Sequence, residues 1–186
     1  ISSIPVSGLN TSYEICQNES LDLIVNSGVT CSWSGIYNGV GNSVSLGGLE
    51  SGLLNLNLTN NDGCAANETI LVVVNPIPYP IISGAQAVCQ NSYWEKYSVP
   101  STSNELAWSV TNGELMSFSN ANDAIVHWGI GTSGIINVTE TISQTGCSNN
   151  YSYEVLLDNS IALDTAEVLQ LSSNVLYTPQ DYTFMN

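Results

Sequence analysis

Five cysteines are the residues whose chemistry most restricts what this 186-residue chain can be. They stand at positions 16, 31, 64, 89 and 147. No close Cys-x-x-Cys pair occurs and the single histidine, His127, is remote from them in sequence, so a zinc site is not expected. In a chain rich in strand-forming residues, the cysteines indicate disulfides and an oxidising compartment. Reduced thiols in the core of a cytosolic protein are the alternative.

A repeated order of residues predicts which cysteines pair. Each half of the chain has a Cys, then a Trp, then a Gly-Cys dipeptide: Cys16, Trp33 and Cys64, followed by Cys89, Trp108 and Cys147. We therefore predict disulfides Cys16–Cys64 and Cys89–Cys147, each beside its tryptophan in a core, with Cys31 as a buried free thiol. The pairs Cys16–Cys31 and Cys31–Cys64 stay open, because sequence alone does not determine connectivity.

The other reactive side chains show no pattern typical of catalysis. His127 stands in a strand-like stretch with no nucleophile or carboxylate motif beside it, and no Gly-x-Ser-x-Gly elbow occurs. The sixteen Asp and Glu residues are scattered without the spacing of a paired-carboxylate glycosidase. The sequence therefore predicts a protein that is not an enzyme.

Two sets of residues are candidates for binding. Tyr93 and Trp94 lie in a polar stretch and are candidate exposed aromatic contacts for a ligand, although loop aromatics also pack back over a core. Asp62, Asp123 and Asp158 stand near asparagines in loops. They are weak candidates for Ca²⁺ ligands, since turns use the same residue types. No EF-hand pattern is present, and no cofactor other than Ca²⁺ is indicated.

The charge balance excludes several classes of partner. The chain has one lysine, Lys96, no arginine and a formal net charge of −15. Clustered cations are needed to bind phosphates or an anionic membrane surface, and this chain cannot supply them. No apolar run is long enough to span a membrane. We therefore expect neither nucleic-acid binding nor membrane insertion.

Alternating and turn-forming stretches predict β-strands throughout. Leu54, Leu56 and Leu58 alternate with polar residues, as in a half-buried strand. Residues 106–110 read as a strand that carries Trp108 into a core, and the following Asn112-Gly113 predicts a type I′ hairpin turn. Prolines at 76, 78 and 80 predict an extended connection between the two halves.

These stretches carry a resemblance to a known group of repeats. The second half resembles the PKD-like, immunoglobulin-like repeats of large secreted proteins of Bacteroidetes, through Val88-Cys89, Tyr97-Ser98-Val99, residues 106–110 before Asn112-Gly113, residues 125–129 and Gly146-Cys147. The first half resembles the companion immunoglobulin-like repeats, through Cys16, residues 32–35 and Asp62-Gly63-Cys64. The resemblance covers most of residues 10–158.

The expected fold is all-β. We predict two tandem immunoglobulin- or PKD-like antiparallel β-sandwiches at residues 1–76 and 77–158. Residues 159–186 are expected to begin a third module or to form a linker. Both ends of the chain look abrupt, so we expect it to be part of a longer protein.

The resemblance implies a role outside the cell. Such repeats form stalks of giant surface adhesins and gliding-associated proteins that are exported by the type IX system. The expected partners are neighbouring modules, glycans or other cell-surface chains. Thr165, in the short sequence Asp164-Thr165-Ala166, resembles the O-glycosylation site of this phylum. The alternative function is a carbohydrate-binding accessory module of a secreted polysaccharide-degrading enzyme.

Overall fold

The computed structural model describes residues 3–48, 50–116 and 122–158. Across these residues the protein is all-β, with fourteen strands. The described part of the chain contains no helix with the length and apolarity that a membrane crossing requires.

The chain divides into two compact units. Among the described residues, the first comprises the chain up to Pro78 together with Thr141–Asn149, and the second comprises Tyr79–Glu140 and residues 150–158. A short turn from late in the sequence therefore belongs to the first unit.

Seven strands form the first sandwich. They are β1 (Ser12–Cys16), β2 (Ser20–Ile24), β3 (Val29–Gly35), β4 (Gly39–Val40), β5 (Ser43–Gly47), β6 (Gly52–Asn60) and β7 (Ala65–Asn75). One sheet has the order β1-β7-β6-β3-β4, and the other pairs β2 with β5. The expected leucine alternation lies on β6, where Leu54, Leu56 and Leu58 are all buried.

The core of the first sandwich lies between these two sheets. Leu23 on β2 and Leu46 on β5 pack in one cluster with Leu56 on β6 and Trp33 on β3. Trp33 is 3% exposed, and its indole N–H donates to the Gly41 carbonyl at 2.7 Å. Because the buried indole N–H has a hydrogen-bond acceptor, burial of the Trp33 ring stabilises the core without the cost of an unsatisfied polar group.

Seven further strands form the second sandwich. They are β8 (Ala87–Cys89), β9 (Glu95–Ser98), β10 (Glu105–Thr111), β11 (Gly113–Leu115), β12 (Asp123–Trp128), β13 (Ser133–Thr141) and β14 (Ser148–Asp158). One sheet has the order β10-β13-β14-β8 and the other β11-β12-β9. In both sandwiches the third, sixth and seventh strands share one sheet and the second and fifth share the other, which is the strand plan of an immunoglobulin sandwich.

The deepest tryptophan of the second core is Trp128 rather than the predicted Trp108. Trp128 on β12 and Tyr97 on β9 are fully buried, with their rings edge to face at 5.9 Å. The indole N–H of Trp128 donates to the Tyr97 hydroxyl at 3.1 Å, and that hydroxyl donates to the Ala85 carbonyl at 3.1 Å. Trp108 on β10 is partly buried and packs against this cluster. The prediction placed Trp108 at the centre, but β10 is an edge strand of its sheet.

The predicted type I′ hairpin at Asn112-Gly113 is wrong. Asn112 has a positive φ of 60°, but Gly113 does not, and β11 pairs with β12 in the other sheet instead of with β10. Gly113 is needed for space: a Cβ there would lie 2.9 Å from the His127 carbonyl and 3.0 Å from the Trp128 ring. The chain thus crosses between sheets at a point where only glycine fits against the core.

The first and last strands of each sandwich run parallel to each other. In the first sandwich, β1 pairs with β7 from Ser12↔Leu71 to Cys16↔Asn75. In the second, β8 pairs with β14 up to Cys89↔Asp158. Each sandwich therefore carries a cysteine on its first strand, level with the end of its last strand.

Two adjacent leucines on β6 provide a test of the core assignment. Leu54 is 0% exposed and Leu53 is 52% exposed. We expect Leu54→Ala to lower the free energy of unfolding by about 2–5 kcal/mol, because it removes transfer free energy and leaves a cavity. Leu53→Ala is the matched control and should change it by less than about 0.5 kcal/mol. Urea unfolding followed by Trp fluorescence measures both; equal effects would contradict the assignment.

Candidate functional site

A disulfide between Cys16 and Cys147 is the main chemical feature of the described chain. The two Cα atoms lie 5.5 Å apart, and the bond joins residues 131 positions apart in sequence. Cys16 ends β1, and Cys147 lies in the turn that precedes β14. This turn lies within Thr141–Asn149, the segment that belongs to the first compact unit.

Hydrogen bonds hold both sides of this disulfide. The Cys16 N–H donates to a carboxylate oxygen of Glu19 at 2.8 Å, and the Glu19 N–H donates back to the Cys16 carbonyl at 3.0 Å. On the other side, the Asn149 amide donates to the Pro78 carbonyl at 3.1 Å. Cys147 itself is 1% exposed. The disulfide is therefore a structural cross-link whose flanking residues are held in place by hydrogen bonds.

The predicted pairs Cys16–Cys64 and Cys89–Cys147 are both wrong, and for the same reason. Cys16 is level with Asn75 on β7, whereas Cys64 precedes the start of that strand. Eleven positions of strand at about 3.3 Å each separate the two cysteines by roughly 36 Å. A disulfide requires Cα atoms within about 7 Å.

The same register separates the second predicted pair. Cys89 is level with Asp158 at the end of β14, whereas Cys147 precedes the start of that strand by the same number of positions. In each sandwich the two cysteines therefore occupy opposite ends of one parallel strand pair. The immunoglobulin plan also links its second and sixth strands by disulfide, and these four cysteines lie on neither.

A Cys-Gln-Asn turn occurs twice in the structure. Cys16 begins the first copy and Cys89 the second, and the asparagines, Asn18 and Asn91, have positive φ values of 72° and 56°. Asparagine tolerates this left-handed conformation better than most residues. The triplet was not used in the prediction above, although it is readable in the sequence.

The two Cys-Gln-Asn turns share two backbone hydrogen bonds. The Gln17 N–H donates to the Asn75 carbonyl at 2.8 Å, and the Gln90 N–H donates to the Asp158 carbonyl at 3.3 Å. The cysteine carbonyls also accept the N–H three residues later, at 3.0 Å for Cys16 and 3.2 Å for Cys89. Other bonds differ: the Cys16 N–H donates to Glu19, and the Asn91 N–H donates to the Gly129 carbonyl at 3.2 Å. The two turns therefore share their asparagine conformation and part of their hydrogen bonding.

The Gly-Cys turns are also a matched pair. Gly63 and Gly146 have φ values of 84° and 74°, which favour glycine. The Cys64 carbonyl accepts from the Asn60 N–H at 3.0 Å, and the Cys147 carbonyl accepts from the Ile142 N–H at 2.9 Å. Each sandwich therefore carries one Cys-Gln-Asn turn and one Gly-Cys turn.

Cys31 lies where the sequence placed it, on a core strand beside Trp33. It is a free cysteine on β3 and is 5% exposed. Burial raises the pKa of its thiol to about 11, and the negative charge of Glu68 acts in the same direction. A thiol that stays protonated in the core is a poor nucleophile, so Cys31 is not a reactive site.

Tyr93 and Trp94 form an exposed aromatic pair next to His127. Both are 58% exposed, and the Tyr93 ring stacks on the His127 ring at 3.7 Å with an interplanar angle of 12°. Trp94 has a positive φ of 66°, which is uncommon for a bulky residue. The His127 Nε2 atom is buried without a hydrogen-bond partner in the described chain. This constellation offers flat aromatic surface but no nucleophile.

The three calcium candidates are not assembled into a site. Among the described residues, no group of three or more His, Cys, Asp or Glu side chains is placed to hold a metal ion. Asp123 forms a salt bridge with Lys96 at 3.1 Å. Asp62 and Asp158 lie at separate strand ends, before β7 and at the end of β14.

Two buried polar residues have structural partners. Glu140 is 8% exposed and accepts hydrogen bonds from Thr102 at 2.9 Å and from the Asn104 amide at 2.7 Å. Ser7 is 1% exposed, and its hydroxyl donates to a carboxylate oxygen of Glu68. These carboxylates anchor loops.

The predicted O-glycosylation site Thr165 and the predicted third module lie outside the described residues.

Comparisons with known proteins identify no family. No protein-family model matches the sequence, and no curated protein matches it. Similar solved structures include the titin domains Z1Z2 in complex with telethonin, at 12% identity and a TM-score of 0.36, over 85% of this chain and 98% of that one. The insect immune protein hemolin is 11% identical at a TM-score of 0.42, over 83% of this chain and 46% of that one.

Fibronectin(III)-like modules of Clostridium thermocellum CbhA are also similar, at 11% identity and a TM-score of 0.38, over 82% of this chain and 93% of that one. These values carry no inference about ligand or activity. The immunoglobulin plan of this chain therefore rests on its own strand order.

The raised pKa of Cys31 predicts a pH dependence of stability. Between pH 9 and 11 the unfolded thiol ionises while the native thiol keeps its proton, so stability falls as pH rises through this window. Between pH 8 and 10.5 we expect the wild type to lose up to roughly 2 kcal/mol more unfolding free energy than Cys31→Ala. Urea titrations at both pH values measure this difference, and identical losses in the two proteins would refute it.

Proposed function

We propose that this chain is a non-catalytic, load-bearing segment of a large extracellular or cell-surface adhesion protein. The observation that carries the proposal is the Cys16–Cys147 bond, which bridges 131 positions of sequence. Disulfides persist in oxidising compartments, which supports a location outside the cell. The more specific setting, a stalk of a Bacteroidetes adhesin or gliding-associated protein exported by the type IX system, follows from the sequence resemblance.

The disulfide defines the path that a pulling force takes through the chain. A load that enters along β1 reaches Cys16, crosses the sulfur–sulfur bond to Cys147 and leaves along β14. Residues 17–146 form a covalently closed loop outside that path. The segment therefore cannot lengthen by extending these residues while the bond is intact, which suits a spacer between a cell surface and a distal binding module.

The parallel end strands give a second source of resistance. β1 and β7 lie side by side over five residue pairs and point in the same direction. A force applied to the two free ends shears the strands past each other, so it loads all of their backbone hydrogen bonds together. β8 and β14 are paired in the same parallel sense. Each sandwich is thus arranged to resist tension after reduction of the disulfide.

Composition and partners are consistent with this role. The net charge of −15 favours solubility and repulsion between copies. The proposed partners are neighbouring modules of the same long chain, together with glycans or other cell-surface chains.

Single-molecule pulling tests the load-bearing role. With handles at the chain ends, the oxidised protein should show no length gain from residues 17–146. After reduction, unfolding should add ~450 Å, because 131 residue steps extend by about 3.5 Å each. Cys16→Ser should release this length without reductant, and Cys31→Ser should keep it locked. An oxidised wild type that extends by the full amount would rule out the proposed load path.

A carbohydrate-binding accessory role is the second candidate. It is favoured by the exposed pair Tyr93 and Trp94, and by the positive φ that Trp94 maintains. An uncommon backbone conformation has a free-energy cost, and such residues cluster at ligand sites. Exposed aromatic faces are also suited to stacking on sugar rings.

A glycan array distinguishes the two candidates. If the aromatic pair binds sugar, Trp94→Ala should weaken binding at least about tenfold, which corresponds to about 1.4 kcal/mol. Tyr79→Ala is the matched control, since Tyr79 is 70% exposed and lies outside the pair. Absence of binding by the wild type to any glycan would eliminate this candidate.

A further inference from the structure

Two cysteines in equivalent turns are in different chemical states. Cys16 is bonded to Cys147, whereas Cys89 is a half-buried free cysteine. Both stand at the end of the first strand of a sandwich, level with the end of the last strand. Both are followed by Gln and by an Asn with positive φ.

We propose that Cys89 is the attachment point for a Gly-Cys turn from a further module of this type. The partner chemistry is given by Cys147, which reaches Cys16 from a turn that follows a glycine with a φ of 74°. The bond in place runs from the first Cys-Gln-Asn turn of the chain to its second Gly-Cys turn, 131 positions later in sequence. Cys89 begins the next Cys-Gln-Asn turn in that series.

The remaining cysteines of the chain do not fit this role. Cys147 is already bonded to Cys16, and Cys31 is 5% exposed inside the first core. Cys64 precedes Cys89 in sequence, whereas in the observed bond the Gly-Cys turn follows the Cys-Gln-Asn turn. Residues 159–186 contain no cysteine. The partner turn therefore belongs to a further module of the same polypeptide or to a second copy of it.

The bond forms by thiol oxidation. The thiols of Cys89 and its partner lose two protons and two electrons as the sulfur–sulfur bond forms. The electrons pass to a disulfide oxidant, either a thiol–disulfide oxidoreductase or glutathione disulfide, through a mixed-disulfide intermediate. The oxidant leaves as its dithiol or as two thiols. Such an oxidant is available in an oxidising compartment, which the Cys16–Cys147 bond also requires.

Such a bond would continue the load path from one module to the next. Cys89 lies within the loop that Cys16 and Cys147 close, so a disulfide from Cys89 to a later module closes a second loop that overlaps the first. The load leaves β14 at Asp158, which is level with Cys89 and therefore with the proposed second disulfide. This consequence rests on the proposed load-bearing function; the bond itself rests on the repeated turns.

Peptide mapping of the full polypeptide, secreted by its own cells, tests the proposal. Free thiols are blocked with N-ethylmaleimide before lysis, and the unreduced protein is digested with proteases that cleave after acidic and aromatic residues. We expect Cys89 in a disulfide with a cysteine that follows a glycine. In a Cys89→Ser variant, that partner should become labelled while Cys16–Cys147 stays intact. Cys31→Ser is the control and should leave the Cys89 bond in place.

A non-reducing gel distinguishes the two possible sources of the partner cysteine. A partner in the same polypeptide leaves the protein at monomer size, whereas a second copy of the polypeptide produces disulfide-linked multimers. N-ethylmaleimide on Cys89, or a bond from Cys89 to a cysteine outside a Gly-Cys turn, overturns the proposal. The pulling experiment above reads only the Cys16–Cys147 loop, so failure of the load-bearing function and failure of this bond are distinguishable.

Discussion

The parallel pairing of the first and last strands is the constraint on which the chemistry of this protein depends. Because β1 and β7 run in the same direction, the end of β1 lies beside the end of β7 and far from its start. The two cysteines of each module therefore face opposite ends, and neither module can close its own disulfide. The disulfide that the structure contains instead joins Cys16 to Cys147, which are 131 positions apart in sequence.

The Cys16–Cys147 disulfide has energetic and mechanical consequences. In the chain-entropy model, closing a loop of 131 positions lowers the entropy of the unfolded chain enough to stabilise the fold by about 5 kcal/mol. This is comparable to the whole stability of many single domains. It also excludes residues 17–146 from extension, whereas a disulfide within one sandwich would leave the other free to extend.

Glycines and asparagines with positive φ form the turns that carry the cysteines in both copies. Gly146 and Asn18 let the chain turn sharply on either side of the bond, and Gly63 and Asn91 do the same in the other copies. The same residue types occur at the matching positions of both copies. The exposed Tyr93 and Trp94 are absent from the corresponding part of the first copy and belong to the second module alone.

Short-range patterns in the sequence determined many of the strands and the Gly-Cys turns, but not the connection at Asn112-Gly113. The alternation around Leu56, the strand that carries Trp33 and the Gly-Cys turns all follow from local side-chain periodicity and glycine placement, and the structure has them there. The tertiary structure alone decided which cysteines bond and that Trp128, rather than Trp108, lies at the centre of the second core. Both depend on register and strand order, which are set by hydrogen bonds between residues far apart in the chain and leave no mark on local sequence.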